Sequence, residues 1–199
     1  TNGIFGQRAL KVVHKNPRLT SEAMTALEND RVMREITAMQ NFDNFHVLRL
    51  LDYQNTKTNL FMVVPYMAGG NLINRITKYY PHPYLTEDMA RFFFRQLLIG
   101  MKHMHEKGWV HRDIKPDNLL LSDLGPYPIL VIGDLGLSKV LGDENTICGT
   151  VGYSAPEMVQ KNKQYDRKVD SWSCGIVLYS MLSGNMPFHE SYKRYLGIG

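Results

Sequence analysis

Apolar and polar positions along this chain follow two different periods. Ala9 to Val13 form an apolar run of strand length, and the next segment, TSEAMTALENDRVMREITAMQ, sets Val32, Ile36 and Met39 at helical intervals. Thr25 and Glu28 have the spacing of a capping box for that helix. After a turn at DNF, the runs VLRLLDY and NLFMVVPYM read as two strands around a polar turn at Gln54 to Thr58. The first part of the chain is therefore expected to be a small sheet with one helix. Ala68, Gly69, Gly70 and Asn71 then break the pattern, as a connection between two units does.

Helical sequence dominates the remainder of the chain. TEDMARFFFRQLLIGMKHMHEKG carries Thr86 at an N-cap position, acids in its first turn, Lys107 in its last and Gly108 just beyond. Met89, Phe93, Leu97, Met101 and Met104 give it one apolar face, which reads as core rather than as a binding groove. DRKVDSWSCGIVLYSMLSG is a second helix, apolar on most sides and hence expected to sit centrally. There is no internal repeat or low-complexity tract.

Composition narrows the class without naming a function. With 199 residues, 44% hydrophobic and 21% charged, the chain has ordinary globular content and enough length for one or two cores. The net charge of +4 comes from scattered Lys and Arg, so a nucleic-acid partner is not expected. Cys148 and Cys174 are too few for a disulfide framework or zinc cluster; each is expected to be a small buried residue in a reducing compartment. No leader-like segment opens the chain, and no apolar run approaches the about 20 residues that cross a bilayer. The expectation is a cytoplasmic or nuclear protein without a membrane partner.

Candidate chemistry lies between the two long helices. VHRDIKPDNLLL presents Asp113, Lys115 and Asn118 in a polar island between Val110 and Leu119 to Leu121. Taken alone, Asp113 reads equally as a turn residue ahead of Pro116. Sixteen positions after Asn118, however, Asp134 follows an apolar run in LVIGDLG, and GTVGYSAPE and Asp170 come after it.

In this order and spacing the chain resembles the eukaryotic protein kinase family from about Gln7 to Phe188, through HRDIKPDN, DLG, GT…APE and DSWSCG together. The resemblance implies an α+β, two-lobed fold: a small antiparallel lobe with one helix over residues 1–67, and a mostly helical large lobe over 68–199. ATP would bind between the lobes, with magnesium. Asp113 matches the base that orients the substrate hydroxyl and accepts its proton, and Lys115 matches the lysine that steadies the transferred phosphate in serine/threonine kinases. Asn118 and Asp134 match the magnesium ligands, both offering hard oxygen. Lys11 matches the lysine on the α- and β-phosphates, with Glu35 as its helix partner. Val64 aligns with the gatekeeper, and Pro65 and Met67 with the adenine-facing hinge; Pro65 lacks an N–H, but the family contact there uses the carbonyl. Thr146 is an expected phosphate acceptor and Arg112 its cation, served by an upstream kinase or by autophosphorylation. Thr150 matches a threonine that contacts the catalytic loop, and Asp170 a buried acid that braces the HRD backbone.

Three features depart from the family pattern. Leu135 stands where phenylalanine is usual in DFG, and should still pack beneath the helix bearing Glu35. The sequence ends soon after MPF, where the family continues through further helices, so the domain is expected to be truncated at both ends. In TNGIFGQRALKVV, only four residues separate Gly6 from Lys11, and at about 3.3 Å per residue that cannot span the excursion from a phosphate cradle to the lysine. NGIFG is then either a cradle with a strand missing or, the preferred reading, a hairpin turn before the lysine strand.

CGT, GGNL and YDRKVDSWSCGIVLYSMLSGNMPF are most similar to the calmodulin-dependent-kinase-like group, including checkpoint-type kinases. The resemblance thus implies transfer of the ATP γ-phosphate to Ser or Thr hydroxyls of a protein substrate. A catalytically silent kinase-like module and, more remotely, a small-molecule phosphotransferase are the competing readings.

Overall fold

A computed structural model describes residues 6–15, 33–78, 84–140, 149–159 and 165–188. The expectations placed on Thr25, Glu28, Val32, Thr146 and Cys148 fall outside these residues.

Strands β1 (Arg8–His14), β2 (Asp52–Asn55) and β3 (Asn59–Pro65) form an antiparallel sheet in the order β1-β3-β2. The centre of the sheet goes to the strand whose alternation is strongest: Leu60 and Met62 are fully buried. Lys11 stands opposite Met62 in the register. Helix α1, described over residues 33–41, turns Glu35, Ile36, Ala38 and Met39 inward at helical spacing.

One strand expectation is corrected. Of VLRLLDY, only Asp52 and Tyr53 lie in β2, which instead continues through Gln54 and Asn55 opposite Phe61 and Leu60. Val47 forms a parallel bridge to Ile132, and Leu48 N–H donates to the Ile132 carbonyl at 2.8 Å. Val47 and Leu48 are buried, but against the segment of Ile132 rather than in the small sheet, while Leu51 and Tyr53 stay exposed. A short apolar run reports burial without naming its partner.

Helix α2 (Leu72–Thr77) starts at Asn71, whose side chain accepts the N–H of Asn74. Helix α3 (Glu87–Glu106) starts at Thr86, whose hydroxyl accepts the N–H of Met89, and Glu87 and Asp88 sit where the helix dipole favours acids. Phe93, Leu97, Met101 and Met104 are buried along its inner face as expected, with Met89 half-buried. Gly100 belongs to the same face because a Cβ there would lie 2.8 Å from the His46 carbonyl and 2.7 Å from Ile132 Cδ1. Its bare backbone lets α3 press against the segment that carries Val47 and Leu48.

Two short ladders come next: β4 (Trp109–Val110) pairs with β7 (Lys139–Val140), and β5 (Leu119–Leu121) with β6 (Leu130–Ile132). Helix α4 (Pro156–Val159) precedes α5 (Lys168–Ser183), which buries Val169, Cys174, Val177 and Met181. Tyr179 and Leu182 stay exposed among the described residues. One apolar cluster runs from Ile36, Leu60 and Met62 through Phe93 and Leu97 to Val177 and Met181, so sheet and helices share a core. Each such large side chain stabilises the fold by roughly 1.5–3 kcal/mol. No helix among the described residues is long and apolar enough to cross a membrane.

Candidate active site

The polar segment between β4 and β5 is shaped from outside itself. Arg112 adopts φ 70°, a left-handed conformation costing a non-glycine residue roughly 1–2 kcal/mol. Asp170 of α5, only 1% exposed, offsets that cost: Oδ2 accepts the His111 N–H at 2.9 Å, and Oδ1 accepts the Arg112 N–H at 2.8 Å. His105 Nε2 of α3 lies 2.8 Å from the same Oδ2. His111 accepts the Asp113 N–H at Nδ1, at 3.2 Å, and its Nε2 is 3.0 Å from the Gly133 carbonyl. That pairing assigns the ring proton to Nε2.

The turn so formed presents Asp113. Asn118 Nδ2 donates to the Asp113 carbonyl at 2.8 Å and to its Oδ2 at 3.0 Å. Lys115 Nζ lies 3.0 Å from Oδ2, and the Thr150 hydroxyl donates to Oδ1 at 2.6 Å. Lys115 also donates to Thr150 Oγ1 at 2.7 Å, closing the cluster. Burial pushes the Asp113 carboxyl up, but the hydrogen bonds from Thr150, Lys115 and Asn118 and the Lys115 charge outweigh it and hold the group below the usual carboxylate value. Asp113 is thus a buried acid kept ionised.

Asp134 follows β6 by way of Gly133 and is also left-handed, at φ 50° and ψ 68°, a conformation Asp tolerates better than most residues. Its side chain is exposed, while the next residue, Leu135, is buried at 1% exposure in the main apolar cluster, as its apolar character predicts. Across from it, Lys11 Nζ is 2.6 Å from Glu35 Oε1, joining β1 to α1. Lys11, Glu35, Asn118 and Asp134 line a cavity of about 330 Å³ whose apolar wall includes Val64.

Pro65 ends β3 opposite Arg8, and Met67 is half-buried against the core; neither lines this cavity. Gly6 is exposed ahead of β1 and does not line it either, while the Gln7 carbonyl accepts the Tyr66 N–H at 3.0 Å and so extends the β1–β3 pairing. Arg112 turns its guanidinium to the Leu137 carbonyl at 2.6 Å and to the Tyr165 hydroxyl at 3.0 Å. A larger cavity, about 440 Å³, opens between α3 and α5 beside His105 and Asp170, away from Asp113 and Asp134.

Met39, Leu48, Met62 and Leu120 complete the apolar wall, and Asp117 and Gly133 the polar side. Sequence reading missed all six. Two were recoverable: Met39 lies four residues after Glu35, on the same helix face, and Leu120 alternates away from buried Leu119 and Leu121 in β5. Leu48 and Gly133 carry no local signal of their place.

Comparison with known proteins agrees with this geometry. The family described as "Protein kinase domain" matches residues 6–196. The chain is 37% identical over 192 residues to the ovarian-specific serine/threonine-protein kinase Lok of Drosophila melanogaster, covering 94% of this chain and 40% of that protein. It is 38% identical over 167 residues to CBL-interacting serine/threonine-protein kinase 20 of Arabidopsis thaliana, covering 81% and 36%. Serine/threonine-protein kinase ATG1a of Arabidopsis thaliana is 37% identical over 162 residues, covering 80% and 25%. The chain therefore spans between 25% and 40% of the length of these relatives. With the family matched over almost its whole length and the same residues gathered about one cleft, this chain belongs to the protein kinase family.

Proposed function

We propose that this chain is the phosphoryl-transfer domain of a protein serine/threonine kinase, with residues 1–67 as its small lobe and 68–199 as its large lobe. The observation that carries the reading is convergence. Residues from four separate stretches, Lys11, Glu35, Asn118 and Asp134, line one cavity, and Asn118 is bonded directly to Asp113.

The donor set suits a magnesium nucleotide. Asp134 offers an exposed carboxylate, and Asn118, with Nδ2 engaged by Asp113, has its amide oxygen as the remaining donor; both are hard oxygens. Bound magnesium with ATP supplies charge neutralisation on the phosphates. Lys11, oriented by Glu35, holds the α- and β-phosphates. Val64 and Leu120 cover the base with apolar surface; Pro65 and Met67 follow Val64 in the chain just outside the cavity's lining, and a base reaching past Val64 would meet their backbone. Asp113 orients the hydroxyl of a Ser or Thr in a protein substrate and accepts its proton, while Lys115 steadies the phosphate in transfer. Thr150 holds both side chains in register. Thr146 is the proposed acceptor of an activating phosphate, from an upstream kinase or by autophosphorylation, with Arg112 as the cation that receives it.

The test is ATP-dependent phosphorylation of a generic basic peptide beside an Asp113→Ala variant. The variant should lose at least about 100-fold in rate. Equal transfer by both proteins would refute the role of Asp113, and nucleotide binding without transfer by either would mark a binding module instead.

A further inference from the structure

Arg112 joins two segments that lie well beyond it in the chain. Its side chain is buried, at 7% exposure for the residue, and its guanidinium donates to two neutral oxygens, the Leu137 carbonyl and the Tyr165 hydroxyl. Leu137 closes the short turn that begins at Asp134, just before β7. Tyr165 stands ahead of α5, with its ring packed among Val110, Ala155, Met158 and Val169. A desolvated guanidinium is tolerated only where its hydrogen-bond acceptors are well placed. The Tyr165 hydroxyl is well placed because the packed ring has little rotational freedom.

We propose that Tyr165 is a positioning residue for phosphoryl transfer: its hydroxyl fixes the Arg112 guanidinium against Leu137, and so holds the turn after Asp134 beside the backbone that carries Asp113. This latch operates without a phosphate on Thr146, and it rests on the kinase reading of the site. The two acids of the site, Asp113 and Asp134, are then held in mutual register by one side chain whose far end is anchored to the loop before α5.

The test uses the full-length protein with Tyr165→Phe, Arg112→Met and both together. Tyr165→Phe keeps the packed ring and removes only the hydroxyl. Its kcat should fall about 10-fold, the scale of one hydrogen bond to a charged group, with the KM for ATP unchanged and the thermal midpoint lowered by only a few degrees. Adding Tyr165→Phe to Arg112→Met should bring no further loss, because both act through the same contact. Amide exchange across residues 137–140 should quicken in both single variants. An undiminished kcat in Tyr165→Phe, or losses that multiply in the double variant, would overturn the proposal. An Asp113→Asn control separates the two readings: if it matches the wild type, or if neither transfers phosphate, the kinase reading fails. Exchange at 137–140 then decides the latch, faster exchange supporting it and unchanged exchange overturning it.

Discussion

Asp170 lies 58 residues beyond Arg112 in the chain, yet its Oδ1 accepts the Arg112 backbone N–H at 2.8 Å. The same carboxylate takes the His111 N–H on its other oxygen, so a helix in the core dictates the left-handed turn that presents Asp113. Asp170→Ala leaves two buried N–H groups and a strained φ without compensation. We expect a loss of about 3–5 kcal/mol in urea unfolding, with phosphoryl transfer falling in the fraction that stays folded.

Thr150 and Asp113 set the response to acid. Burial raises the Asp113 carboxyl, but the hydrogen bonds from Thr150, Lys115 and Asn118 and the Lys115 charge together lower it further. A folded value below the unfolded one means that this group stabilises the protein above about pH 3.9 and loses that contribution as pH falls through the folded value. Thr150→Ala removes one lowering bond, so the acid limb of the pH–rate profile should move to higher pH. An unmoved limb would show that Lys115 and Asn118 suffice.

Lys11 and Glu35 predict a separation of binding from stability. Their ion pair is short and open on one side only: the Glu35 side chain is 10% exposed, but the Lys11 side chain is 45% exposed, and solvent at Lys11 limits what the pair contributes to folding. Lys11→Met should weaken nucleotide binding at least about 10-fold by titration calorimetry while shifting the thermal midpoint by only a few degrees.

Gly149 predicts the reverse. It sits at φ 95°, and a Cβ there would lie 2.5 Å from Ser154 Oγ and 2.8 Å from the Arg112 carbonyl. Gly149→Ala therefore meets both a backbone penalty and a clash with main chain, together roughly 2–4 kcal/mol. Because Thr150 is the next residue, the variant should lose activity and stability together, read by peptide phosphorylation and by urea unfolding.

Local signals in the sequence were sufficient wherever a segment's neighbours are close along the chain. Thr86 marks the start of α3, and the interval from Phe93 to Met104 marks its buried face. Ala9 to Val13 lies within β1, and the run before Gly133 forms β6. Asp113, Asn118 and Asp134 could be chosen because their spacing resembles one catalytic system, and the structure brings Asn118 and Asp134 to one cavity with Asp113 bonded to Asn118.

Pairing across long separations was legible only through the family resemblance, which names Glu35 for Lys11, Thr150 for the catalytic loop and Asp170 for the HRD backbone, and not from local signals. Val47 and Leu48 are apolar in a way that suits the small sheet as well as the edge beside Ile132, and only the close approach of α3 at Gly100 makes the second place available. Gln54 and Asn55 are polar enough to pass for a turn, yet they continue β2 because β3 offers them an unpaired edge. Leu48, Gly133 and Tyr165 have nothing in their own neighbourhoods to assign them to the site. The sequence by itself determined the residue types, the cap at Thr86 and the buried face of α3, since these depend on chemistry within a few positions. Tertiary structure alone decided that Val47 and Leu48 would lie against Ile132 and that the Tyr165 hydroxyl would reach Arg112, because a hydrogen bond depends on distance in space.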